Sequence, residues 1–258
     1  MSYRQKLQRR VEARGSRLCV GIDPRPARHP GGIDEIREVL IQLIDETAPH
    51  AAAFKPNIAY FEAMGVPGYK LVEEMIGHIW AKGVPVILDA KRGDIGTTQE
   101  QYARAYFENW NVDAVTLSPY MGYDSVEPFL GYPEKGVYLL GVTSNAGAAD
   151  LELKTLAGRG GRAVFELVGD MAAREPEQIG LVVGLTNVSP DLLSRVPDVP
   201  LLIPGLGAQG GDLEALAGEK RDAPNVINVS RGILYDEPAK SFAEKARHYA
   251  NRIADVLG

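Results

Sequence analysis

The chain has 258 residues, 45% of them hydrophobic and 24% charged, which is typical of a globular protein and not of a disordered one. Its net charge of −6 at pH 7 argues against a nucleic-acid-binding protein, which needs a basic face, and its apolar runs are too short to predict a membrane span. The single cysteine, Cys19, cannot form an internal disulfide, so we expect a reducing, cytoplasmic location and an inert, buried thiol.

Short apolar runs alternate with amphipathic segments along the chain. The runs predict eight β-strands, over residues 18–22, 51–54, 84–88, 114–117, 137–142, 180–184, 200–203 and 226–229. The amphipathic segments predict helices, notably over residues 33–47, 69–82, 98–110, 163–174, 212–217 and 238–257. Eight strand-then-helix units without a linker predict a single α/β domain over residues 1–258, a (β/α)8 TIM barrel.

Two further segments have a distinctive composition. The charged first ten residues predict a short helix whose arginines form a solvated face. Residues 144–161 are rich in Gly and Ala and predict a surface loop that could serve as a lid.

The third predicted strand runs into the charged sequence Asp89-Ala-Lys-Arg-Gly-Asp94. Because side chains alternate across a strand, Asp89 and Lys91 leave on the same face, about 6–7 Å apart along the backbone. Charged residues are almost never buried unless they are paired. The motif alone is compatible with a surface ion pair at a strand end; the alternative is an ammonium group held between two carboxylates in a site.

Polar residues also follow other predicted strands, and they favour the second interpretation. Asp23 follows the first strand, Lys55 the second, Thr143 and Ser144 the fifth, and residues 230–232 the eighth. Active sites of barrels lie at the carboxyl ends of the strands, so we expect these side chains to meet at one mouth.

A glycine-rich turn follows the seventh strand, over residues 204–211, and Arg231 follows the eighth. These glycines could simply permit tight turns. However, barrels frequently bind phosphate with the loops after strands seven and eight, and arginine is a bidentate phosphate donor. No βαβ unit with a downstream acidic residue follows, so a dinucleotide site is not indicated. The pattern predicts a phosphomonoester site.

Together these motifs resemble one known family. They are Gly21-Ile-Asp23, Phe54-Lys-Pro-Asn57, Leu88-Asp-Ala-Lys-Arg-Gly-Asp-Ile95, Thr143-Ser-Asn145, Pro204-Gly-Leu-Gly-Ala-Gln209 and Ser230-Arg-Gly232. The chain resembles the orotidine 5′-monophosphate decarboxylases, and Asp89-Ala-Lys-Arg-Gly-Asp-Ile-Gly-Thr-Thr98 is similar to a bacterial branch of that family. The resemblance implies a homodimeric barrel with sites at the interface and no metal or organic cofactor. It also implies conversion of orotidine 5′-monophosphate to uridine 5′-monophosphate and CO2, the last step of pyrimidine-nucleotide synthesis.

The same resemblance implies a role for each matching residue. Lys91 would protonate C6 of the pyrimidine, Asp89 would face the departing carboxylate, and Lys55 would complete the charged array. Asp94 and Thr98 would reach the partner's site. The implied substrate-contacting residues are Asp23 at the ribose, Ile95 and Thr98 across the interface, Ser144 at the base edge, and Gln209 and Arg231 at the phosphate.

Three other classes share part of this pattern. Sugar-phosphate decarboxylases and hexulose-phosphate synthases use Mg²⁺ and need an acidic ligand near the end of the second strand, where this chain has Lys55. A Schiff-base aldolase needs an uncharged lysine, whereas aspartates beside Lys91 favour its ammonium form. A catalytically inactive nucleotide-binding barrel would not need the acid–lysine–acid set. The four histidines share no metal-ligand spacing; they are His29, His50, His78 and His248.

Overall fold

The computed structural model describes residues 1–158, 160–206, 213–218 and 220–258. Its strands are β1 Leu18–Ile22, β2 Ala53–Pro56, β3 Ile87–Arg92, β4 Ala114–Leu117, β5 Gly136–Val142, β6 Ile179–Val183, β7 Leu201–Pro204 and β8 Asn225–Val229. All pair in parallel, in the order β2-β1-β8-β7-β6-β5-β4-β3. Parallel bridges from Phe54 to Val86 and from Asn57 to Asp89 join β2 to β3. The sheet therefore closes, and the predicted (β/α)8 barrel is confirmed.

Helices surround this sheet. They are α1 Tyr3–Arg14, α2 Gly32–Thr47, α3 Ile58–Glu62, α4 Gly65–Ala81, α5 Gly96–Arg104, α6 Glu127–Leu130, α7 Val164–Ala172, α8 Pro190–Ser194, α9 Arg231–Leu234 and α10 Phe242–Leu257. A π-helical turn, Ala105–Asn109, continues α5. Within the described parts of the chain, every helix is too short or too polar to cross a lipid bilayer.

The second and third strands begin and end later than the apolar pattern predicts. β2 covers Ala53–Pro56, not residues 51–54, and β3 extends through Lys91 to Arg92. The apolar pattern stops at the first charged residue, but the strand continues because Lys55 and Asp89 neutralise each other inside the barrel. The site lysines and Asp89 are therefore strand residues.

The helix predicted over residues 212–217 is wrong for its described part, which is a single 3₁₀ turn, Leu213–Leu216. Gly218 follows it at φ +79°, in the left-handed region that ends a helix.

Helix α1 closes the amino-terminal end of the barrel. Tyr3, Leu7 and Val11 lie on one face at helical spacing and pack with the barrel's inner core. The Tyr3 hydroxyl donates to the Tyr138 hydroxyl at 3.0 Å, and a Cβ on Gly136 would lie 2.3 Å from the Tyr3 ring. Each such buried side chain contributes about 1.5–3 kcal/mol. The short basic helix predicted here is therefore also a structural plug.

The inner face of the strands changes from apolar to polar along the barrel axis. Its apolar layer is formed by Cys19, Ala53, Ile87, Ala114, Tyr138, Val182, Leu202 and Val226. Two residues further on, where side chains return to the same face, β2, β3 and β4 carry Lys55, Asp89 and Thr116. This change defines the floor of a cavity at the carboxyl ends of the strands.

Candidate active site

A cavity of about 610 Å³ opens at this end of the barrel. Strand residues from β2 to β8 form its floor, and the segments after β1, β2, β5, β7 and β8 form its walls. Its size suits a single nucleotide-sized ligand. Polar side chains concentrate here, at the end of the barrel where barrel enzymes carry their sites.

A charged array crosses the floor of the cavity. Lys55 Nζ donates to Asp89 Oδ2 at 2.7 Å, and Lys91 Nζ donates to Asp89 Oδ1 at 2.5 Å. Asp89 Oδ1 also accepts from the Thr116 hydroxyl at 3.1 Å. Both oxygens of the carboxylate are therefore used. The Lys55 and Asp89 side chains are only 6% and 10% exposed, whereas that of Lys91 is 49% exposed. Lys91 can thus present its ammonium group to a ligand while Lys55 stays buried.

The buried pair remains ionised. Burial alone would raise the pKa of Asp89, but attraction to Lys55 and Lys91 outweighs it and holds this pKa well below the usual carboxyl range. Burial alone would lower the pKa of Lys55, but the carboxylates of Asp89 and Asp23 raise it above the usual lysine value. The floor of the cavity therefore carries fixed charges of both signs.

Lys91 has an unusual backbone conformation. Its φ is +47°, in the left-handed region, which costs a residue with a Cβ about 1–2 kcal/mol. The pairing of β3 with β4 is irregular at this point, because Leu88 pairs with Val115 but Arg92 pairs with Leu117. The Thr116 hydroxyl accepts from the backbone N–H groups of Ala90 and Lys91, at 3.0 and 2.9 Å. This bulge turns Lys91 back toward Asp89 even though β3 is ending.

A second group of polar atoms lines the wall formed by β1 and β8. Asp23 Oδ1, Asn228 Oδ1 and Ser230 Oγ are buried, and none of them has a hydrogen-bond partner among the described residues. Arg25 and Arg231 line the same cavity. Buried polar atoms are costly when unpaired, so this wall is suited to a ligand with hydroxyl groups and an anionic group.

The loop after β5 is braced by side chains of its neighbours. Glu152 accepts from the backbone N–H of Thr143 at 2.7 Å, and Asn187 Nδ2 donates to the Thr143 carbonyl at 2.6 Å. The Thr186 hydroxyl donates to the Ser144 carbonyl at 2.7 Å. A Cβ on Gly184 would lie 2.5 Å from the Ser144 backbone nitrogen, so the position directly after β6 must be glycine. Ser144 is therefore held at the edge of the cavity.

Most of the residues predicted for the site come together. The cavity is lined by Asp23, Lys55, Asp89, Lys91, Ser144 and Arg231. Asp94, Ile95 and Thr98 lie beyond it at the start of α5, where Ile95 is 61% exposed and Asp94 accepts from the Ile95 N–H at 2.8 Å. Gln209 falls outside the described residues.

Sequence reasoning missed several lining residues, among them Thr116, Asn228 and Arg25. Thr116 is the one polar residue of β4, and Asn228 is one of two asparagines among the apolar residues of β8; that contrast is a signal that could have found them. Arg25 lies two residues after Asp23, and its backbone N–H donates to the Tyr235 hydroxyl at 2.7 Å. Among the residues that the structure describes, His, Cys, Asp and Glu side chains form no group of three that could hold a metal ion.

Fold and side chains together define a (β/α)8-barrel protein with a lysine–carboxylate site at its mouth. The family model "Orotidine 5'-phosphate decarboxylase / HUMPS family" matches residues 16–246, and the chain belongs to this family.

Individual relatives agree with the family match. The orotidine 5′-phosphate decarboxylase of Variovorax paradoxus (strain S110) is 46% identical, in an alignment that covers 100% of this chain and 98% of the relative. The structure of Leishmania donovani OMP decarboxylase is similar with a TM-score of 0.86 at 36% identity, covering 100% of this chain and 99% of that one. The structure of Leishmania donovani UMP synthase is similar with a TM-score of 0.88 at 37% identity, and this chain spans 57% of its length.

Proposed function

We propose that this protein decarboxylates orotidine 5′-monophosphate to uridine 5′-monophosphate and CO2, the last step of pyrimidine-nucleotide synthesis. The observation that carries the proposal is the Lys55–Asp89–Lys91 array on the floor of a nucleotide-sized cavity. Relatives that share the whole chain at 46% identity are named for this reaction.

The reaction requires a fixed positive charge beside C6 of the pyrimidine. When the bond between C6 and the carboxylate breaks, its electron pair stays on C6 in an in-plane orbital that the ring cannot delocalise. An ammonium group beside C6 stabilises this pair and then donates a proton to form the C6–H bond. Preorganised charge of this kind costs no reorganisation during the reaction and is usually the largest catalytic contribution.

We assign the proton donor to Lys91, because its ammonium is half exposed at the cavity while Asp89 orients it from below. Asp89 faces the departing carboxylate, and Lys55 keeps Asp89 ionised in its buried position. The floor of the cavity thus contains an ionised carboxylate between two ammonium groups, so the substrate contacts charges of alternating sign.

The rest of the nucleotide fits the walls of the cavity. Asp23 is assigned to the ribose hydroxyls, Ser144 to the base edge, and Gln209 with Arg231 to the phosphate. The unpaired buried oxygens beside Arg231 support a polar ligand on this side. Phosphate binding far from C6 can contribute to turnover, because remote binding energy can be used to order the reacting groups.

The direct test is incubation with orotidine 5′-monophosphate while the loss of orotate absorbance is followed. We expect turnover without added metal and no effect of a chelator. If uridine 5′-monophosphate never forms, the proposal is wrong. If activity vanishes with chelator and returns with Mg²⁺, the chain belongs with the sugar-phosphate enzymes; Lys55 argues against this because its ammonium occupies the Asp89 carboxylate.

We further propose a homodimer in which Asp94 and Thr98 complete the partner's site. Support comes from their position just past the cavity, next to the exposed side chain of Ile95. Exposed apolar residues also occur at Tyr120 and Met121, which are 82% and 47% exposed. Such residues are suited to a subunit interface.

Subunit mixing tests this arrangement. Lys91→Ala and Asp94→Ala chains are each expected to be inactive. In a mixed dimer one site carries both changes and the other carries neither, so random mixing should restore about a quarter of all sites. Subunit exchange without any recovery of activity would rule out a shared site.

A cytoplasmic location completes the proposal. The one cysteine, Cys19, is a free, fully buried thiol. A chain without disulfides is suited to a reducing compartment.

A further inference from the structure

Arg92 follows Lys91 directly in β3, and its side chain extends outward to the helices, away from the cavity. Its Nε donates to the Tyr106 hydroxyl at 2.7 Å, and its Nη2 pairs with Glu62. The guanidinium also lies over the Tyr102 ring, 5.3 Å from the centroid. Three partners from two different helical segments thus hold one side chain.

Those partners are themselves fixed. Glu62 ends α3 and also accepts from the Tyr69 hydroxyl at 3.2 Å. A Cβ on Gly68 would lie 1.9 Å from the Phe61 carbonyl oxygen, so α3 and α4 pack in direct backbone contact. Tyr106 belongs to the π-helical turn that continues α5, a local irregularity of the kind that often occurs near functional sites. Arg92 is therefore attached to a rigid support.

The contacts of Arg92 also restrain Lys91, the residue before it, whose backbone is strained. Lys91 has a φ of +47°, and such a conformation persists only where the surroundings over-determine it. On the amino-terminal side of Lys91, the Thr116 hydroxyl accepts hydrogen bonds from the N–H groups of Ala90 and Lys91. On its carboxyl side, the Arg92 carbonyl accepts from the Ser118 N–H at 2.7 Å and the Arg92 side chain is clamped. Lys91 is thus fixed from both ends of the bulge.

We propose that Arg92, held by Glu62 and Tyr106, is a positioning residue that keeps the Lys91 ammonium at the reacting carbon. This inference rests on the proposed function. Because Arg92 lies outside the cavity, its loss should change the placement of Lys91 and leave the nucleotide-binding walls intact. A misplacement of about 1 Å can lower a rate roughly 100-fold.

The test compares Arg92→Met with Arg10→Met. Arg10 is a matched control, because its Nε and Nη2 also make two hydrogen bonds, to the carbonyls of Ala51 and Ala48 at 3.1 and 2.7 Å, at the other end of the barrel. We expect kcat to fall about 100-fold in Arg92→Met, with the Kd for uridine 5′-monophosphate changed less than about threefold. Arg10→Met should keep kcat within about twofold even where its thermal stability falls. Arg92→Lys, which keeps the charge but not the fork of donors, should recover part of the rate.

A measurement without substrate separates this inference from the proposed function. The ¹³Cε NMR signal of Lys91, assigned by its loss in Lys91→Arg, should move in Arg92→Met and stay in place in Arg10→Met. If Arg92→Met is too unstable to study, Tyr106→Phe removes a single hydroxyl contact and should lower kcat about fivefold. An unmoved Lys91 signal, or a kcat near that of wild type in both Arg92→Met and Tyr106→Phe, overturns the positioning role. An inactive wild type with a shifted Lys91 signal overturns only the proposed reaction.

Discussion

Replacing Lys55 by methionine should show how much the buried ion pair contributes to the free energy of unfolding. Lys55 and Asp89 meet at 2.7 Å with side chains 6% and 10% exposed. Methionine fills much of the same volume, so the change mainly removes the charge. Breaking a buried pair by removing one partner costs about 3–5 kcal/mol. Asp89 keeps its contacts with Lys91 and Thr116, so we expect the lower end of this range, about 3 kcal/mol.

The loss of unfolding free energy in Lys55→Met should depend on pH in a defined direction. Burial would raise the pKa of Asp89, but Lys55 and Lys91 hold it below the usual range. A carboxylate with a lowered folded pKa stabilises the fold above its unfolded value, about 3.9, and loses this contribution as the pH falls through the folded pKa. Without Lys55, less attraction opposes the effect of burial, so the pKa of Asp89 rises. The difference in free energy of unfolding between wild type and variant should therefore be largest near neutral pH and shrink toward about pH 4–5.

The assay is urea unfolding followed by circular dichroism at neutral and mildly acid pH. Protein concentrations must match, because association would make the midpoint concentration-dependent. A loss of about 3 kcal/mol should also lower the Tm by roughly 6–12 °C. The double variant Lys55→Met/Asp89→Asn removes both buried charges and should regain most of the lost stability. A loss below about 1 kcal/mol, or a difference that grows in acid, would refute the reasoning.

Four further outcomes are expected. Lys91→Ala should lower kcat by at least about 10²–10³-fold while uridine 5′-monophosphate still binds, as calorimetry can measure, since in the proposed mechanism this one residue supplies both charge and proton. Arg231→Ala should weaken binding of the nucleotide far more than that of the nucleoside; equal losses would remove Arg231 from the phosphate site. Thr116→Val leaves the buried N–H of Ala90 and the partly buried N–H of Lys91 without their acceptor and should cost about 1–3 kcal/mol of unfolding free energy in urea. Burial raises the pKa of Cys19 to about 12, so iodoacetamide should label this thiol only in denaturant.

The convergence of the site was predictable because the carboxyl ends of all the parallel strands of a barrel lie at the same end. Asp23, Lys55 and Arg231 are far apart in sequence, yet each follows or ends a strand, and the carboxyl ends of parallel strands share one mouth. The two-residue period of a strand placed Asp89 and Lys91 on one face, and the pair exists, although a bulge at Lys91 completes the contact. These predictions needed no knowledge of side-chain packing.

What could not be predicted depends on tertiary contacts. The left-handed φ of Lys91 is imposed by Thr116 and the clamped Arg92, and strand propensity contains no signal for it. The extension of β2 through Lys55 likewise requires the carboxylate of Asp89 from another strand. In both cases a residue 25 or more positions away overrides the local pattern, since the two sequence separations are 25 and 34.

Position 55 links the stability of this barrel to its choice of chemistry. An acidic residue there would lie near Asp89 inside the barrel, and two buried carboxylates close together repel unless a cation lies between them. A divalent metal ion satisfies that requirement, which is the arrangement expected of the Mg²⁺-dependent relatives of this fold. A lysine supplies the compensating charge from the chain itself and occupies Asp89 Oδ2, while Lys91 and Thr116 occupy Oδ1. The same ion pair that permits charge inside the barrel therefore supports the ammonium-based chemistry proposed above for its mouth.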